Sequence, residues 1–516
     1  MASTSPAAVA PAATPFSMRA ILAPLVAIIV GIFMVVLDTT AVNVAVPGLV
    51  RQFHDTIPTL QWTITGYALA QAAVIPLAGW LSDRFGAKRL FLTSLVLFTL
   101  GSVLCSTAQS SGMLIAFRVL QGMGGGFVLP VAMAYIYRLS PPEKVGAIMG
   151  MMGIPILLAP AIGPVLAGWL VQFASWRWIF LLNLPVGVIG VTLGLRGLPA
   201  TARQAAGRLD LPGTVLGPLA FVALSYGITE GSSSWTADKT LGGIIVGAVA
   251  LVLFVLAELR SEAPLLELRV FKSIDFSLAM LVQWVGQFAL FGALFLVPLF
   301  LQQVRGYGAF DTGLILLPQA IAAAVFMPIG GMLFDRIGAR PLVIGGSVLL
   351  AIAAFILARV SISTEGTTLI LPLALYGAGM GLMMMPMNTH LINAAPRRLV
   401  SRVTSLIGAL QQVITSLTIA GMSTILTSRP SYHEASAGLA GLAAHAGHAP
   451  VHLPPAIGRL FSASFDDTFT VMAVVAIVGA ALGLVLRRRT AAQEAETATI
   501  MAAEGPVDLE WELLAG

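Results

Sequence analysis

Charged side chains are scarce in this sequence. Of its 516 residues, 10% are Asp, Glu, Lys or Arg, whereas 57% are hydrophobic and the mean hydropathy is +0.92. A soluble domain carries roughly 25% charged residues, so this chain cannot cover a water-facing surface with polar groups. The composition excludes an ordinary soluble protein and indicates an all-α chain that crosses a lipid bilayer several times.

Cysteine is almost absent as well, because Cys105 is the only one in the chain. A single cysteine excludes an intrachain disulfide and a metal site built from cysteines, and we expect its thiol to fill space inside a membrane helix. The phosphate-binding pattern GxxxxGK[ST] is also missing, so the sequence does not support direct hydrolysis of ATP. We therefore expect a protein that is not an enzyme and needs no cofactor.

Apolar stretches long enough to span a bilayer occur fourteen times, from 21–46 to 466–486. An even number of spans places both termini on the same side of the membrane. With the N-terminus in the cytoplasm, 20 of the 28 Lys and Arg residues fall in cytoplasmic loops and tails, as the positive-inside rule requires. This placement accounts for the net charge of +5 without a nucleic-acid partner.

One loop sequence occurs twice, as GWLSDRFGAKRL at 79–90 and as GMLFDRIGARPL at 331–342. A proline precedes each copy by three residues, and both copies fall on the predicted cytoplasmic side. Repeats of this parallel kind are typical of transporters built from two similar halves. The first copy follows the second span and the second copy follows the tenth, which indicates two additional helices between two six-helix halves.

Asp38 lies deep inside the first apolar stretch. A carboxylate at that depth is costly, and it normally faces a cavity or a partner of opposite charge. Arg118, at a comparable depth in the fourth stretch, is the expected partner. We interpret the pair as a candidate proton-coupling site, and a purely structural ion pair is the alternative.

Four further motifs follow the chain in order: LDTTAVNVAVP (37–47), FRVLQGMGGGFVLP (117–130), APAIGPVLAGWL (159–170) and WRWIFLLNLPVG (176–187). With these motifs and the repeated loop, the chain resembles the major facilitator superfamily, in particular its fourteen-helix branch of drug:proton antiporters, which contains the EmrB-type exporters. The resemblance covers nearly the whole chain. One departure occurs in the antiporter motif, where Ala167 stands in place of the usual glycine.

The resemblance implies the major facilitator fold, with two six-helix bundles, two inserted helices, fourteen transmembrane helices in all and both termini in the cytoplasm. Together with the predicted spans, it divides the chain into five segments. They are a disordered N-terminus at 1–20, a first bundle at 21–197, a linker with two extra helices at 198–275, a second bundle at 276–486 that includes a long outer loop at 428–465, and a cytoplasmic tail at 487–516.

The resemblance also implies roles for three groups of residues. Asp38 and Arg118 would couple transport to the movement of protons. The repeated loop would act as a conformational latch, with Asp83 against the start of the thirteenth span near Ser401, and the small residues of the fifth span would seal the two halves together. The latch residues are Gly79, Asp83, Arg84, Gly86, Asp335, Arg336 and Gly338, and the antiporter-motif residues are Pro160, Gly163, Pro164 and Gly168.

A substrate pocket is predicted from side-chain chemistry. Amides and aromatic rings share a face of the ninth span, glutamines lie in the thirteenth, and the twelfth contains GLMMMPMN. Amide, aromatic and thioether groups together suit amphiphilic ligands of varied shape, although ordinary helix packing is the alternative for each residue. The candidates are Gln283, Trp284, Gln287, Phe291, Met384, Asn388, Gln411 and Gln412.

The expected function is export of small amphiphilic compounds, driven by a proton gradient across the bacterial inner membrane. The alternatives are a dedicated exporter of one metabolite, antibiotic or lipid, and a membrane sensor without transport. The expected partners are substrate, protons and membrane lipids, with a periplasmic adaptor if the cell is Gram-negative, and the expected state is a monomer without a metal. Because Asp38 is the only deep acid, we expect one proton per cycle, direct competition between proton and cationic cargo, and poor transport of dications.

Overall fold

The structure is a computed structural model that describes residues 18–139, 159–160, 162–199, 209–231, 234–261, 264–360, 364–393, 400–446 and 454–486. Within these ranges all regular secondary structure is helical, and no strand occurs. The predicted N-terminal segment and cytoplasmic tail lie almost entirely outside the described residues.

The first bundle begins with a helix of 36 residues that carries Asp38 at its middle. Its second span is bent by 55° at Ile75 and Pro76, where one helix ends and the next begins. The helices are α1 (Met18–Phe53), α2 (Ile57–Leu60), α3 (Trp62–Val74), α4 (Leu77–Phe85), α5 (Ala87–Thr107), α6 (Ser111–Leu139), α7 (Ile162–Phe173), α8 (Arg177–Leu181) and α9 (Asn183–Gly197).

The second bundle follows a pair of helices that correspond to the predicted insertion. This pair, α10 (Leu211–Glu230) and α11 (Asp238–Arg260), packs together along its length. The second bundle contains α12 (Ile274–Leu299), α13 (Ala309–Ile337), α14 (Ala339–Leu357), α15 (Ile370–Asn393), α16 (Val400–Thr427), α17 (Pro430–Ala446) and α18 (Pro455–Val485), with short 3-10 turns at Leu268–Lys272 and Gly366–Leu369 and a π turn at Phe300–Val304.

Twelve helices of the described residues are long and apolar enough to cross a membrane, and there are thirteen if the bent pair counts as one span. The remaining predicted span corresponds to α7, which is shorter and adjoins residues outside the described ranges. The structure is therefore an all-helical bundle of at least twelve candidate spans, and the total of fourteen with cytoplasmic termini stays a prediction.

The segment predicted as a long outer loop contains regular structure instead. Helix α17 occupies its first half, and α18 begins at Pro455, eleven residues before the predicted span. The ring of Tyr432 in α17 packs edge-on against Phe461 in α18, with 5.4 Å between centroids. Packing on a neighbouring helix explains why this segment is helical, which its Ala- and Gly-rich composition does not indicate.

The two bundles contact each other near the end that the charge distribution predicts to be outer. The side-chain amide of Gln302, just after α12, donates to the carbonyl of Val44 in α1 at 2.9 Å. The backbone N–H of Phe310 in α13 donates to Gln172 in α7, also at 2.9 Å. These contacts join the halves at their outer ends.

The repeated loop has the same backbone geometry in both halves. Gly86 directly follows α4 with φ 90°, and Gly338 directly follows α13 with φ 75°. A residue with a side chain rarely adopts this left-handed region, so each glycine allows one helix to end and the next to begin at the adjacent residue. The sequence repeat is therefore also a structural repeat.

Candidate functional site

Glycines of the FRVLQGMGGGFVLP motif bring α6 into close contact with two neighbouring helices. A Cβ at Gly122 would overlap the carbonyl oxygen of Tyr67 in α3, and a Cβ at Gly124 would overlap the backbone nitrogen of Phe98 in α5. This close approach fixes the depth and rotation of α6. It places Arg118, one turn earlier, in the interior of the first bundle.

Arg118 forms an ion pair with Asp38 of α1, and both side chains are fully buried. One guanidinium nitrogen of Arg118 lies 2.5 Å from Oδ2 of Asp38, and the Nε donates to the carbonyl of Thr63 at 3.0 Å. The guanidinium also stacks on the ring of Tyr67, 3.9 Å from its centroid, where a cation–π attraction is favourable. The pairing expected from the sequence is present.

Two amide side chains complete the coordination of the carboxylate. Gln121 of α6 and Asn183 of α9 both donate to Oδ1 of Asp38, at 2.9 and 3.0 Å. Asn183 also donates to the hydroxyl of Ser102 in α5, and Gln121 accepts from Arg118. Side chains from α6 and α9 therefore surround the Asp38 side chain of α1, and all three of these partners donate hydrogen bonds to it.

Asp38 is enclosed by the first bundle. Its side chain has no exposed surface and points into the first bundle, toward α6 and α9. The expectation of direct competition at Asp38 stays a prediction, and in this arrangement its carboxylate is paired with Arg118.

The antiporter motif uses its two rows of small residues for two different contacts. A Cβ at Gly163 in α7 would overlap the hydroxyl of Thr40 in α1. On the adjacent row, a Cβ at Gly168 would overlap the carbonyl of Ala309, and the carbonyl of Pro164 leaves no room for a side chain at Gly313 in α13. Helix α7 therefore packs tightly on the first bundle with one row and on the second bundle with the other. Pro160 is half-buried at the start of the motif.

The latch residues lie at the ends of α4 and α13, as the loop repeat predicts. Arg84 is exposed, and its guanidinium lies 5.1 Å from the ring of Trp80. Gly79 has open space around it, and Arg336 is exposed. The expected contact of Asp83 involves Ser401, whose side chain lies outside the described residues, as does that of Asp335. The latch role stays a prediction.

Three of the predicted pocket residues meet between α12, α15 and α16. The side-chain oxygen of Asn388 accepts hydrogen bonds from Gln283 at 3.4 Å and from Gln411 at 3.3 Å. Among the described residues, the side-chain oxygens of Gln283 and Gln412 and the indole nitrogen of Trp284 are buried without a hydrogen-bond partner.

The other pocket candidates lie around this amide cluster or beside it. Gln287 and Phe291 are buried one and two turns further along α12, and Met384 is buried on α15 close to Gly286. Met385, in contrast, is 46% exposed on the outside of the bundle. The methionines of GLMMMPMN therefore point in different directions and do not form one continuous wall.

Comparison with known proteins identifies the family. The model of the Major Facilitator Superfamily matches residues 28–419. The chain belongs to the major facilitator superfamily. It is 38% identical over 402 residues to a protein named multidrug resistance protein B homolog from Mycobacterium tuberculosis, covering 77% of this chain and 74% of the relative. It is 30% identical over 458 residues to lincomycin resistance protein LmrB of Listeria monocytogenes, covering 88% and 94%.

Solved structures agree with this family at the level of the fold. A POT family transporter in complex with 5-aminolevulinic acid has a TM-score of 0.62 at 17% identity, covering 90% of this chain and 95% of that one. A bacterial homolog of the human lysosomal transporter Spinster has a TM-score of 0.60 at 17% identity, covering 91% and 98%. This superfamily member is thus a multi-pass membrane transporter, within the EmrB-type branch that its multidrug-resistance relatives indicate.

Sequence analysis missed several residues that the transporter places at buried polar positions. Gln121 and Asn183 lie inside motifs, but an uncharged amide gives no signal that distinguishes a ligand of Asp38 from a packing residue. His390 of α15 was also missed, and its ring nitrogen lies 3.0 Å from the carboxylate of Asp275, at the start of α12. A histidine near a predicted helix end indicates a surface position, whereas here both side chains are largely buried.

Proposed function

We propose that this transporter is a proton-coupled antiporter that exports small amphiphilic compounds from the bacterial cytoplasm by alternating access. The observation that carries the proposal is the fully buried ion pair of Asp38 and Arg118 in the first bundle. A charged pair inside a membrane bundle is costly and marks a functional site by default. Asp38 is the proton-carrying group in this proposal, and the proton gradient is the energy source.

Coupling in this proposal is indirect. When Asp38 is ionised, it holds Arg118, Gln121 and Asn183 and thereby fixes α1 against α6 and α9. Protonation removes the negative charge, so that Arg118 loses its counter-ion and the helices can rearrange. The protonated and ionised forms then favour different packings of α1, which is the differential interaction that a two-state cycle requires.

The cargo site in this proposal lies in the second bundle, at the amides of Gln283, Asn388 and Gln411. Amide groups both donate and accept hydrogen bonds, so the site suits neutral or singly charged amphiphiles that carry a polar head. The names of the relatives, which include a lincomycin resistance protein and a multidrug resistance protein, support antibiotics among the substrates. A dedicated exporter with one cargo would use the same residues, and fold alone does not separate the two.

Transport by purified protein in proteoliposomes tests the proposal. A panel of amphiphilic antibiotics is offered to wild-type vesicles and to vesicles with Asp38→Asn, each with and without an imposed pH gradient. We expect the gradient to drive accumulation of at least one compound by wild type, and no gradient-driven accumulation by the Asn variant, since Asn cannot bind and release a proton.

The matched control is Asp238→Asn, which removes a carboxylate at the start of α11 and should leave transport unchanged. Gradient-driven accumulation by Asp38→Asn at the wild-type level would disprove the coupling role. Absence of transport by wild type across a broad panel would favour the non-transporting sensor instead.

A further inference from the structure

A small cavity adjoins the carboxylate of Asp38. Its walls come from α1, α7, α8 and α9, and they include Leu37, Ala41, Ala167, Leu170 and Asn183. The cavity has a volume of about 10 Å³, measured as the space open to the centre of a water-sized sphere. On that measure a single water molecule needs roughly 10–15 Å³. The cavity therefore matches one water molecule and excludes any organic substrate.

The cavity has the polar groups that a bound water requires. A buried water is held by two to four hydrogen bonds, by the usual rule, and both Asp38 and Asn183 line this cavity. The carboxylate of Asp38 accepts three side-chain hydrogen bonds, whereas a carboxylate has about four acceptor positions. One position on Asp38 and the side-chain oxygen of Asn183 can therefore bind a water.

Residue 167 forms part of the wall of this cavity on the side of α7. Ala167 is buried and lies one turn after Gly163, on the row of α7 that packs against α1. Its side chain is a single methyl group, so the residue at this position sets the remaining volume. A larger apolar side chain fills the cavity, while a hydroxyl in the same place substitutes for the water.

The cavity extends toward the end of the molecule that the charge distribution predicts to be outer. Leu170 also lines it, and α7 ends at Phe173, three residues later. At 1.5 Å of rise per residue, this distance is about 5 Å along the helix axis. The cavity thus leads from Asp38 toward Leu170, which lies about one helical turn from the end of α7, although the halves are in contact at that end.

We propose that this cavity holds one water molecule that relays protons between the outer solution and Asp38, with residue 167 as the determinant of that relay. The inference rests on the proposed coupling role of Asp38. The water accepts a proton from the outer side and donates another to the carboxylate, which becomes a neutral acid and no longer balances the charge of Arg118. Proton and cargo therefore use separate routes, because the cargo does not fit the cavity.

An isosteric pair of substitutions tests the relay. Ala167→Val and Ala167→Thr add nearly the same volume, but only Thr carries a hydroxyl that can pass a proton. In vesicles with an imposed pH gradient, we expect Val to slow transport at least tenfold and Thr to stay within about threefold of wild type. Substrate affinity without a gradient should be the same for both variants, and the slow rate of Val should vary less with outer pH.

Controls separate the relay from folding and from the coupling role itself. The same two substitutions at Ala174, which is exposed, should leave transport unchanged, and Ala41 provides a second pair on the opposite wall if the Ala167 variants do not fold. Equal loss with Val and Thr would show a packing role and overturn the relay, as would full activity of both. Failure of the coupling role would appear separately, as gradient-driven transport by Asp38→Asn.

Discussion

At the scale of single residues, the structure contains a buried ion pair in which Asp38 and Arg118 each compensate the charge of the other. Moving two charges out of water costs several kcal/mol per ion, and here Arg118, Gln121, Asn183 and the ring of Tyr67 compensate for that cost. Replacing a whole buried pair by neutral groups is often nearly neutral for stability, whereas removing one partner leaves an uncompensated charge.

A double substitution distinguishes these cases. Arg118→Met alone should lower the free energy of unfolding by about 3–5 kcal/mol, because it leaves the Asp38 carboxylate buried without a cation. Asp38→Asn combined with Arg118→Met removes that charge and should recover much of the loss. Thermal unfolding in detergent ranks the stabilities of wild type, the single variant and the double variant. Arg196→Met, which replaces an exposed arginine, is the control. An Arg118→Met protein as stable as wild type would contradict the account.

The amide cluster of the second bundle should affect cargo and leave the proton unaffected. Asn388→Ala removes the acceptor of two hydrogen bonds. A loss of about 1–1.5 kcal/mol of binding corresponds to a KM that is about five- to twelvefold higher. The dependence of transport on the pH gradient should not change. Transport kinetics of Asn388→Ala and its neighbour Thr389→Ala provide the comparison. An altered pH dependence with unchanged KM would place Asn388 in the coupling machinery.

Charged residues of the site could be predicted from the sequence, and its uncharged residues could not. Asp38 and Arg118 stand out because a charge within an apolar stretch has few explanations. Gln121 and Asn183 are compatible with many environments, and the small cavity beside Ala167 depends on packing between α1, α7 and α9, which no local pattern encodes. The direct competition of cargo and proton at Asp38 stays a prediction, and depth along a helix did not reveal that the side chain points toward α6 and α9.

At the scale of helices, the inserted pair α10 and α11 contacts both bundles. Gln61, before α3, donates to Thr229 of α10 at 2.8 Å. Two hydrogen bonds join α10 to α16 of the second bundle, between Ser225 and Ser416 at 3.1 Å and from Thr424 to the carbonyl of Ile228 at 2.9 Å. The loop repeat predicts the insertion of two helices, but their position requires knowledge of tertiary contacts.

The two hydrogen bonds between α10 and α16, against one to the first bundle, predict that α10 moves with the second bundle. In a Cys105→Ala background, Ser225→Cys and Ser416→Cys should form a disulfide, because the two hydroxyl oxygens are 3.1 Å apart. Cross-linked protein should keep gradient-driven transport, since the link joins elements that move together. The comparison is transport before and after reduction of the same vesicles. Inhibition that reduction reverses would show that α10 moves relative to α16.

At the scale of the whole molecule, the two halves meet at the outer ends through α1, α7, α12 and α13. The Asp38–Arg118 pair lies within one half, and the amide cluster lies in the other. Because the two groups lie in different halves, coupling between them requires movement of one half relative to the other. With one proton exchanged per cycle, export of a neutral compound moves one net charge across the membrane. A voltage of 100 mV then changes the free energy of each cycle by about 2.3 kcal/mol. Export of a monocation then moves no net charge.

The most direct measurement follows proton movement that is driven by cargo alone. Proteoliposomes hold a pH-sensitive dye and a transported antibiotic gradient, with the voltage clamped and no initial pH difference. We expect wild type to move protons opposite to the cargo at about one per molecule, and Asp38→Asn to move none while still binding the antibiotic. Proton movement by Asp38→Asn at the wild-type ratio would contradict the central claim that Asp38 couples the two fluxes.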